Sequence, residues 1–120
     1  MHRFFNWIQL LFILVSSIYF SLACAQEKFP NKPVTLVVPQ APGGANDAIA
    51  RVVGQKLSEL TGQSFVVENR PGAGGNIGTA YVAKARNDGY TLLLTADSAY
   101  VINPSLYKNT GFDPIKDFEA

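Results

Sequence analysis

Cysteine and histidine are nearly absent from this sequence, since each occurs once in 120 residues, as Cys24 and His2. Both lie near the N-terminus, so the chain after residue 25 has no cysteine pair for a disulfide and no His or Cys cluster for a metal. The same absence excludes Ser-His-Asp and Cys-His catalytic arrangements. The chain after residue 25 must therefore be stabilised by a packed core, and we expect no metal or other cofactor.

Charged residues are also scarce, at 16% of the sequence. Residues 26–120 contain nine Lys and Arg, which is the total of ten less Arg3, against nine Asp and Glu, so their net charge is zero. A chain without an excess of basic residues lacks the electrostatic footprint of a nucleic-acid or anionic-membrane binder. We therefore expect no nucleic-acid partner.

The first 25 residues have the pattern of a secretory signal peptide. Arg3 provides the positive charge, residues 10–22 form an apolar core, and Ala23-Cys24-Ala25 is an A-x-A cleavage site. The apolar core is shorter than the about 20 residues that span a membrane, which disfavours a retained anchor. A lipoprotein signal would be cut before Cys24, but Ser21 occupies a position where such signals usually carry an aliphatic residue. We therefore favour secretion to the periplasm over a lipid anchor.

The chain after the signal peptide begins with a predicted strand, a glycine loop and a helix. Residues 34–38 are apolar at nearly every position, which is typical of a strand buried on both faces of a parallel sheet. Pro39 ends this strand, and Asn46 or Asp47 is placed to N-cap the helix that follows and ends near Gly62. Apolar residues recur at helical spacing and predict the face that this helix turns toward the core: Ile49, Val52, Val53, Leu57 and Leu60.

Two further strands and a second helix are predicted in the middle of the chain. Their ranges are residues 64–68 for a strand, 77–85 for a helix and 90–94 for a strand, and residues 105–107 form one further helical turn. An alternation of strands and helices is typical of βαβ units. We therefore predict an α/β domain with a mostly parallel sheet in βαβαβ order.

Three unusual loops follow the three predicted strands, and they comprise residues 42–46, 69–76 and 95–99. Right-handed crossovers bring the strand C-termini to one edge of the sheet, where ligands of open α/β sheets bind. The second loop holds four glycines within residues 72–78, and a helix beginning there aims free N–H groups into the same space. Another glycine loop, residues 42–44, follows the first strand. Two helix N-termini at one edge predict a site for a carboxylate or a phosphate.

The residues alone leave other interpretations of these loops open. The glycines could form a tight strand-to-helix turn that binds no ligand. The spacing of Gly72, Gly74 and Gly78, with Asp97 after the next strand, resembles a dinucleotide-binding fingerprint, although here several residues separate the first glycine from its strand. Asp47 and Asp97 could form a catalytic carboxylate pair, although an aspartate at a helix start is typically structural.

Several motifs, in their order and spacing, resemble the Bug (TctC-like) extracytoplasmic solute receptors of tripartite tricarboxylate transporters. The matching residues are 32–39, 42–44 with Asp47, 67–78, 88–92, 102–104 and Tyr107. The resemblance implies a two-lobed type II periplasmic-binding-protein fold without enzymatic activity. It implies capture of a small organic carboxylate or an amino acid for membrane subunits of a transporter. The ligand-binding residues that it implies, many of them acting through backbone N–H groups, are Pro42, Gly43, Gly44, Ala73, Gly74, Gly75, Asn76, Thr95, Asp97 and Ser98.

Asp97 departs from the family pattern, in which the corresponding residues are small and uncharged. An aspartate in the cleft would repel a bare carboxylate, because water screens their interaction poorly there. Asp97 either points away from the ligand or pairs with an ammonium or ring-nitrogen group. The second arrangement would favour an amino acid or a pyridine carboxylate.

The chain is also shorter than such receptors, which are about two or three times this size and therefore in the range of two-domain proteins. We expect residues 26–120 to be the N-terminal part of the first lobe, with the second lobe absent. Two alternatives to a truncated receptor remain open. One is an exported α/β enzyme domain or dinucleotide-binding fragment with its catalytic residues in missing sequence, and the other is a nonfunctional fragment.

Overall fold

The computed structural model describes residues 28–119. The predicted signal peptide, residues 1–25, lies outside the described residues, as does Cys24 with the alternative of a lipid anchor. These assignments therefore stay predictions. Within residues 28–119, no helix is both long and apolar enough to cross a membrane.

Strands and helices alternate along the described chain. The strands are β1 (Val34–Val38), β2 (Phe65–Asn69) and β3 (Thr91–Leu93), and the helices between them are α1 (Ala45–Thr61) and α2 (Asn76–Ala83). The predicted βαβαβ order is confirmed, and the ends of the strands and of α2 differ from the prediction by two residues or fewer. A 3-10 turn, Ala73–Gly75, leads into α2.

The helical segment after β3 is longer than the single turn predicted over residues 105–107. A π-helical turn, Ser98–Ile102, continues into the short helix α3 (Asn103–Leu106). The O–H of Tyr100 donates to the backbone carbonyl of Pro114, and the rings of Tyr100 and Phe118 meet edge to face, with 5.3 Å between their centroids. These contacts fix the position of the π-helical turn beside the third loop.

β1 is the central strand of the sheet, with β2 on one side and β3 on the other, and both pairings are parallel. Val34 lies opposite Phe65, and Thr35 lies opposite Thr91, so all three strands end at the same edge of the sheet. The connection from β1 to β2 and the connection from β2 to β3 run in opposite directions across the sheet. Because such crossovers are right-handed as a rule, α1 and α2 lie on opposite faces. The predicted convergence of the three strand C-termini is therefore confirmed.

The core is centred on β1, as its apolar sequence predicts. Val34, Val37 and Val38 are at most 1% exposed. A central parallel strand is buried on both faces because a helix covers each face. Ala50 on α1 and Thr79 on α2 are fully buried as well, which identifies the surfaces that the two helices turn toward the sheet.

The predicted core face of α1 is wrong. Of its five positions only Leu57 is half-buried, and the others are exposed: Ile49 at 52%, Val52 at 70%, Val53 at 39% and Leu60 at 70%. The helix buries Ala50 and Gly54 instead. A Cβ atom at Gly54 would lie 3.1 Å from Cδ1 of Leu36 and 3.4 Å from the carbonyl oxygen of Phe65. The small residues bring the helix close to the sheet, so they, and not the larger apolar residues, determine which face is buried.

Candidate functional site

The side chain of Gln40 links the loops that follow β1 and β3. Its amide nitrogen donates to Oγ1 of Thr95 at 3.3 Å, and its amide oxygen accepts from Nδ2 of Asn46, in the first turn of α1, at 3.1 Å. The backbone carbonyl of Gln40 accepts from Nδ2 of Asn69, at the end of β2, at 3.2 Å. One residue thus contacts the C-terminal end of every strand in the sheet.

Asp47 holds the first glycine loop in place. Its Oδ2 accepts from the backbone N–H of Gly43 at 2.9 Å and from Nε of Arg51 at 3.0 Å. The pKa of Asp47 is lowered from its ordinary 3.8 to about 2, chiefly by the hydrogen bond from Arg51 and next by that from Gly43. The N-cap residue of α1 is Gly44, without a side-chain cap, so the prediction that Asn46 or Asp47 is the N-cap is wrong. Asp47 instead reaches back from the first turn to the loop.

The start of α1 keeps several backbone donors unpaired. The first helical hydrogen bond runs from the N–H of Ala48 to the carbonyl of Gly44. Among residues 28–119, the N–H groups of Gly44, Ala45 and Asn46 donate no hydrogen bond. These donors carry the positive end of the helix dipole, so they attract an anion. Pro42, Gly43 and Gly44, the predicted site residues of this loop, are all exposed.

Some backbone N–H groups of the second glycine loop, which follows β2, donate to carbonyl groups of the same loop. The N–H groups of Gly75 and Ile77 donate to the carbonyl of Gly72, and that of Asn76 donates to Ala73. The backbone donors of Gly75 and Asn76, two of the predicted site residues, are therefore already paired. Within the described chain, the N–H groups of Ala73 and Gly74 have no acceptor. Any backbone contact of this loop with an anion thus falls to Ala73 and Gly74.

Close packing against neighbouring elements requires two of the glycines. Gly75 has a φ of 97°, and a Cβ there would lie 2.9 Å from the Cβ of Ala99. A Cβ at Gly78 would lie 2.7 Å from both the carbonyl oxygen of Arg70 and the Cβ of Pro39. The α2 helix can therefore pack directly on the backbone at the ends of β1 and β2. This packing fixes the glycine loop relative to the sheet edge.

Asn103 ties the helical segment after β3 to the glycine loop. Its Nδ2 donates to the carbonyl of Gly74 at 2.9 Å and to Oδ1 of Asn76 at 2.8 Å. Both asparagines are nearly inaccessible, at 5% exposure for Asn76 and 6% for Asn103. The predicted site residue Asn76 is thus brought to the edge, but its side-chain oxygen is already occupied.

The third loop supplies one half-buried contact and two exposed side chains. Thr95 is half-buried and accepts from Gln40, as described above. Asp97 and Ser98 are exposed, and neither side chain has a hydrogen-bond or ion-pair partner among the described residues. The loop therefore contacts the other two loops through Thr95, while the carboxylate of Asp97 remains available to a ligand or to solvent.

A cavity beside β3 lies mainly away from this edge. Its volume is about 550 Å³, and its lining includes Leu92, Leu93, Tyr100 and Phe118. Of the predicted site residues, Thr95 alone lines it. Residues 28–119 also contain no group of three or more His, Cys, Asp or Glu placed to hold a metal ion. The candidate site is therefore an open edge bordered by backbone donors and not an enclosed pocket.

Sequence reasoning missed two residues that organise this edge. Gln40 directly follows the proline that ends β1, a position from which a side chain reaches the neighbouring strand ends. Asn103 precedes Pro104, and its local sequence predicts no contact with the glycine loop. Its contacts with Gly74 and Asn76 span 29 and 27 residues of sequence, which local patterns do not reveal.

Comparison with known proteins gives matches to one family. Residues 49–120 match the sequence profile of the tripartite tricarboxylate transporter family receptor. The "UPF0065 protein in the TAR-I ttuE-ttuC' intergenic region" of Agrobacterium vitis is 44% identical over 108 residues. That match covers 90% of this chain and 31% of the relative. The chain thus spans about a third of the length of this curated relative.

Two solved structures share the fold. The periplasmic binding protein BugD has 44% sequence identity and a TM-score of 0.70, over 76% of this chain and 30% of BugD. MatC from Rhodopseudomonas palustris, solved with bound malate, has 37% identity and a TM-score of 0.71, over 75% of this chain and 31% of MatC. The predicted periplasmic-binding-protein fold is confirmed.

Proposed function

This chain belongs to the tripartite tricarboxylate transporter receptor family, and we propose that it binds a small organic carboxylate at the edge where its three strands end. The observation that carries this proposal is the pair of unpaired donor groups at that edge. The N–H groups of Gly44, Ala45 and Asn46 form one group, and those of Ala73 and Gly74 form the other. Gln40 lies beside both groups. Its side-chain oxygen accepts a hydrogen bond from Nδ2 of Asn46, and its Nε2 would lie 3.7 Å from a Cβ at Gly75, the residue after Gly74.

Backbone donors of this kind suit a carboxylate. An ionised acceptor forms shorter and stronger hydrogen bonds with N–H groups than a neutral acceptor does, and the dipole of α1 adds to the attraction. A dicarboxylate has two such groups and is matched by two sets of donors. The bound malate of MatC, a protein of the same fold, supports this class of ligand.

The proposed mechanism is binding followed by closure of two lobes, which excludes water around the carboxylate. Residues 26–120 would contribute the N-terminal part of the first lobe and one wall of the cleft. The proposed role is that of a receptor without a catalytic step, which hands its ligand to membrane subunits of a carboxylate transporter. Its proposed location is the periplasm, as for BugD, reached through the predicted signal peptide.

The orientation of the Asp97 carboxylate determines which of two subclasses of ligand is favoured. Its exposed carboxylate lies just before the π-helical turn, in one of the three loops. If it faces the ligand, an amino acid with an ammonium group is favoured over a bare dicarboxylate, because opposite charges attract and like charges repel. The predicted site residues, including Asp97, remain proposals as ligand contacts.

Thermal unfolding with a panel of acids tests the proposal. A ligand that binds with a Kd of about 1 mM stabilises the chain by about 1.4 kcal/mol at about 10 mM. For a domain of this size that shift corresponds to roughly 5 to 10 °C in Tm. We expect malate, succinate or glutamate to raise Tm, while the dimethyl ester of malate leaves Tm unchanged. Failure of every acid in the panel to raise Tm above the ester control would overturn the proposed function.

A further inference from the structure

The orientation of the Asn76 amide is set from outside its own loop. Asn103, the first residue of α3, directs its Nδ2 to Oδ1 of Asn76 at 2.8 Å and to the carbonyl of Gly74 at 2.9 Å. An amide nitrogen donates hydrogen bonds and does not accept them. Nδ2 of Asn103 therefore has to face a hydrogen-bond acceptor, and Oδ1 of Asn76 is that acceptor.

The opposite end of the Asn76 amide is left free. Its oxygen faces Asn103, and its nitrogen donates to no residue between 28 and 119. That nitrogen is not among the fully buried side-chain atoms of the described chain that lack a hydrogen-bond partner. It therefore keeps access to solvent, although the residue as a whole is 5% exposed. The free donor belongs to the first residue of α2, next to the unpaired N–H groups of the glycine loop.

The segment that carries Asn103 is packed against the same loop at two further points. A Cβ at Gly74 would lie 2.9 Å from the hydroxyl oxygen of Tyr107, and a Cβ at Gly75 would lie 2.9 Å from the Cβ of Ala99. The loop and this segment therefore fit together along residues 99–107. Such packing keeps Asn103 in register with Asn76.

We propose that Asn103 is a positioning residue for ligand binding. It holds the Asn76 amide with the oxygen inward and the N–H groups outward, so that Asn76 presents a donor and not an acceptor to a carboxylate. This inference rests on the function proposed above and adds a specificity element to it. A reversed Asn76 amide would present its oxygen to the ligand and disfavour a carboxylate while leaving the backbone unchanged.

The substitution Asn103→Asp keeps nearly the same side-chain shape and replaces the donor that faces Asn76 by an acceptor. It also removes the hydrogen bond to the carbonyl of Gly74, so the Asn76→Ala background described below is needed to separate the two effects. At neutral pH the introduced carboxylate only accepts hydrogen bonds, so the Asn76 amide reverses and donates to it. We expect the Kd for malate to rise about tenfold or more, the effect of losing a hydrogen bond to a charged group. At acid pH the introduced carboxyl group is protonated and donates again. The affinity for malate should then approach that of the unaltered chain measured at the same pH.

Nitrogen-15 NMR of the side-chain amides reports the orientation of the Asn76 amide directly, both with and without a ligand. In the unaltered chain, malate should shift the Asn76 side-chain N–H signals more than those of Asn103. In Asn103→Asp, the Asn76 signals should move without ligand and titrate with the introduced carboxylate. A matched control is Asn109→Asp, since Asn109 is exposed and its oxygen accepts from Gly111, a bond that aspartate retains. A second control is Asn76→Ala, in whose background Asn103→Asp should not weaken malate binding further.

The outcomes separate this inference from the proposed function. If Asn103→Asp leaves the Asn76 side-chain signals and the malate affinity unchanged, the positioning role is overturned while receptor function stands. The inference is also overturned if affinity falls equally at all pH values or falls further in the Asn76→Ala background. If malate and the other acids shift no amide signal of the unaltered chain, the proposed function fails, whereas ligand-free reversal of the Asn76 amide would still support the orientation set by Asn103.

Discussion

Nε2 of Gln40 lies 3.3 Å from Oγ1 of Thr95, and this hydrogen bond joins the loop after the central strand to the loop after an edge strand. The same side chain accepts from Asn46 at the start of α1. Both bonds belong to a half-buried amide, so they contribute to stability as well as to the arrangement of the edge. The loops are thus held by a polar network that is formed before any ligand arrives.

Replacing Gln40 by leucine should therefore loosen the edge. Two side-chain hydrogen bonds are lost, and we expect the free energy of unfolding to fall by about 1–2 kcal/mol, measured by urea denaturation. Gln55→Leu is the matched control, because Gln55 is exposed and should change stability by about 0.5 kcal/mol or less. Equal effects of the two substitutions would contradict the bridging role of Gln40.

Gly78→Ala should destabilise the chain, although alanine normally favours a helix by about 1 kcal/mol over glycine. The added Cβ meets the backbone carbonyl of Arg70 and the ring of Pro39, both at 2.7 Å. Neither can move without displacing the sheet edge, so we expect a net loss of about 1–3 kcal/mol. Gly54→Ala is the comparison, since its nearest atom is the end of the flexible Leu36 side chain at 3.1 Å. Urea denaturation should rank Gly54→Ala as much the milder change.

The lowered pKa of Asp47 predicts loss of stability in acid. Its pKa is about 2 in the folded chain against an ordinary 3.8, so the unfolded chain binds the proton more readily. The resulting stabilisation is complete above about pH 4 to 5 and declines as the pH falls toward 2. Tm measured between pH 7 and pH 2 should fall less steeply for Asp47→Asn than for the unaltered chain. Equal declines of Tm in the two chains would contradict this role of Asp47.

Asp97→Ser tests the choice between the two ligand subclasses. Removal of an exposed carboxylate changes the interaction with a nearby ligand charge by about 0.5–1 kcal/mol, or roughly threefold in Kd. If Asp97 faces the ligand, malate should bind more tightly and glutamate more weakly, as measured by calorimetric titration. An unchanged ratio of the two affinities would show that Asp97 points away from the site.

The sequence predicts the parts of this fold that depend on local patterns. The apolar run of β1, the prolines and glycines that end elements, and the alternation of strands and helices are enough for the parallel sheet and its common edge. The buried face of α1 could not be predicted in the same way. Ala50 and Gly54 are buried because their size permits close approach to the sheet, whereas a hydrophobic pattern favours larger residues such as Ile49.

In the candidate site, too, the features that follow from local patterns could be predicted, and the features that depend on contacts in the folded chain could not. Loop positions follow from strand order, so the three loops could be assigned to one edge. Which donors remain free depends on bonds inside the turn, and these pair the N–H groups of Gly75 and Asn76 but leave those of Ala73 and Gly74 unpaired. The role of Asn103 depends on a contact across 27 residues, which only the folded chain reveals.

A malate titration of the nitrogen-15-labelled chain, followed through its backbone amide signals, tests the proposed carboxylate site most directly. We predict that the largest shifts occur at the residues whose N–H groups are unpaired among the described residues, which are Gly44, Ala45, Asn46, Ala73 and Gly74. Gly62, at the far end of α1, should change little. Saturable shifts confined to those amides, and absent with the dimethyl ester, would support a carboxylate site at this edge. An absence of shifts, or shifts centred on the cavity beside β3, would contradict it.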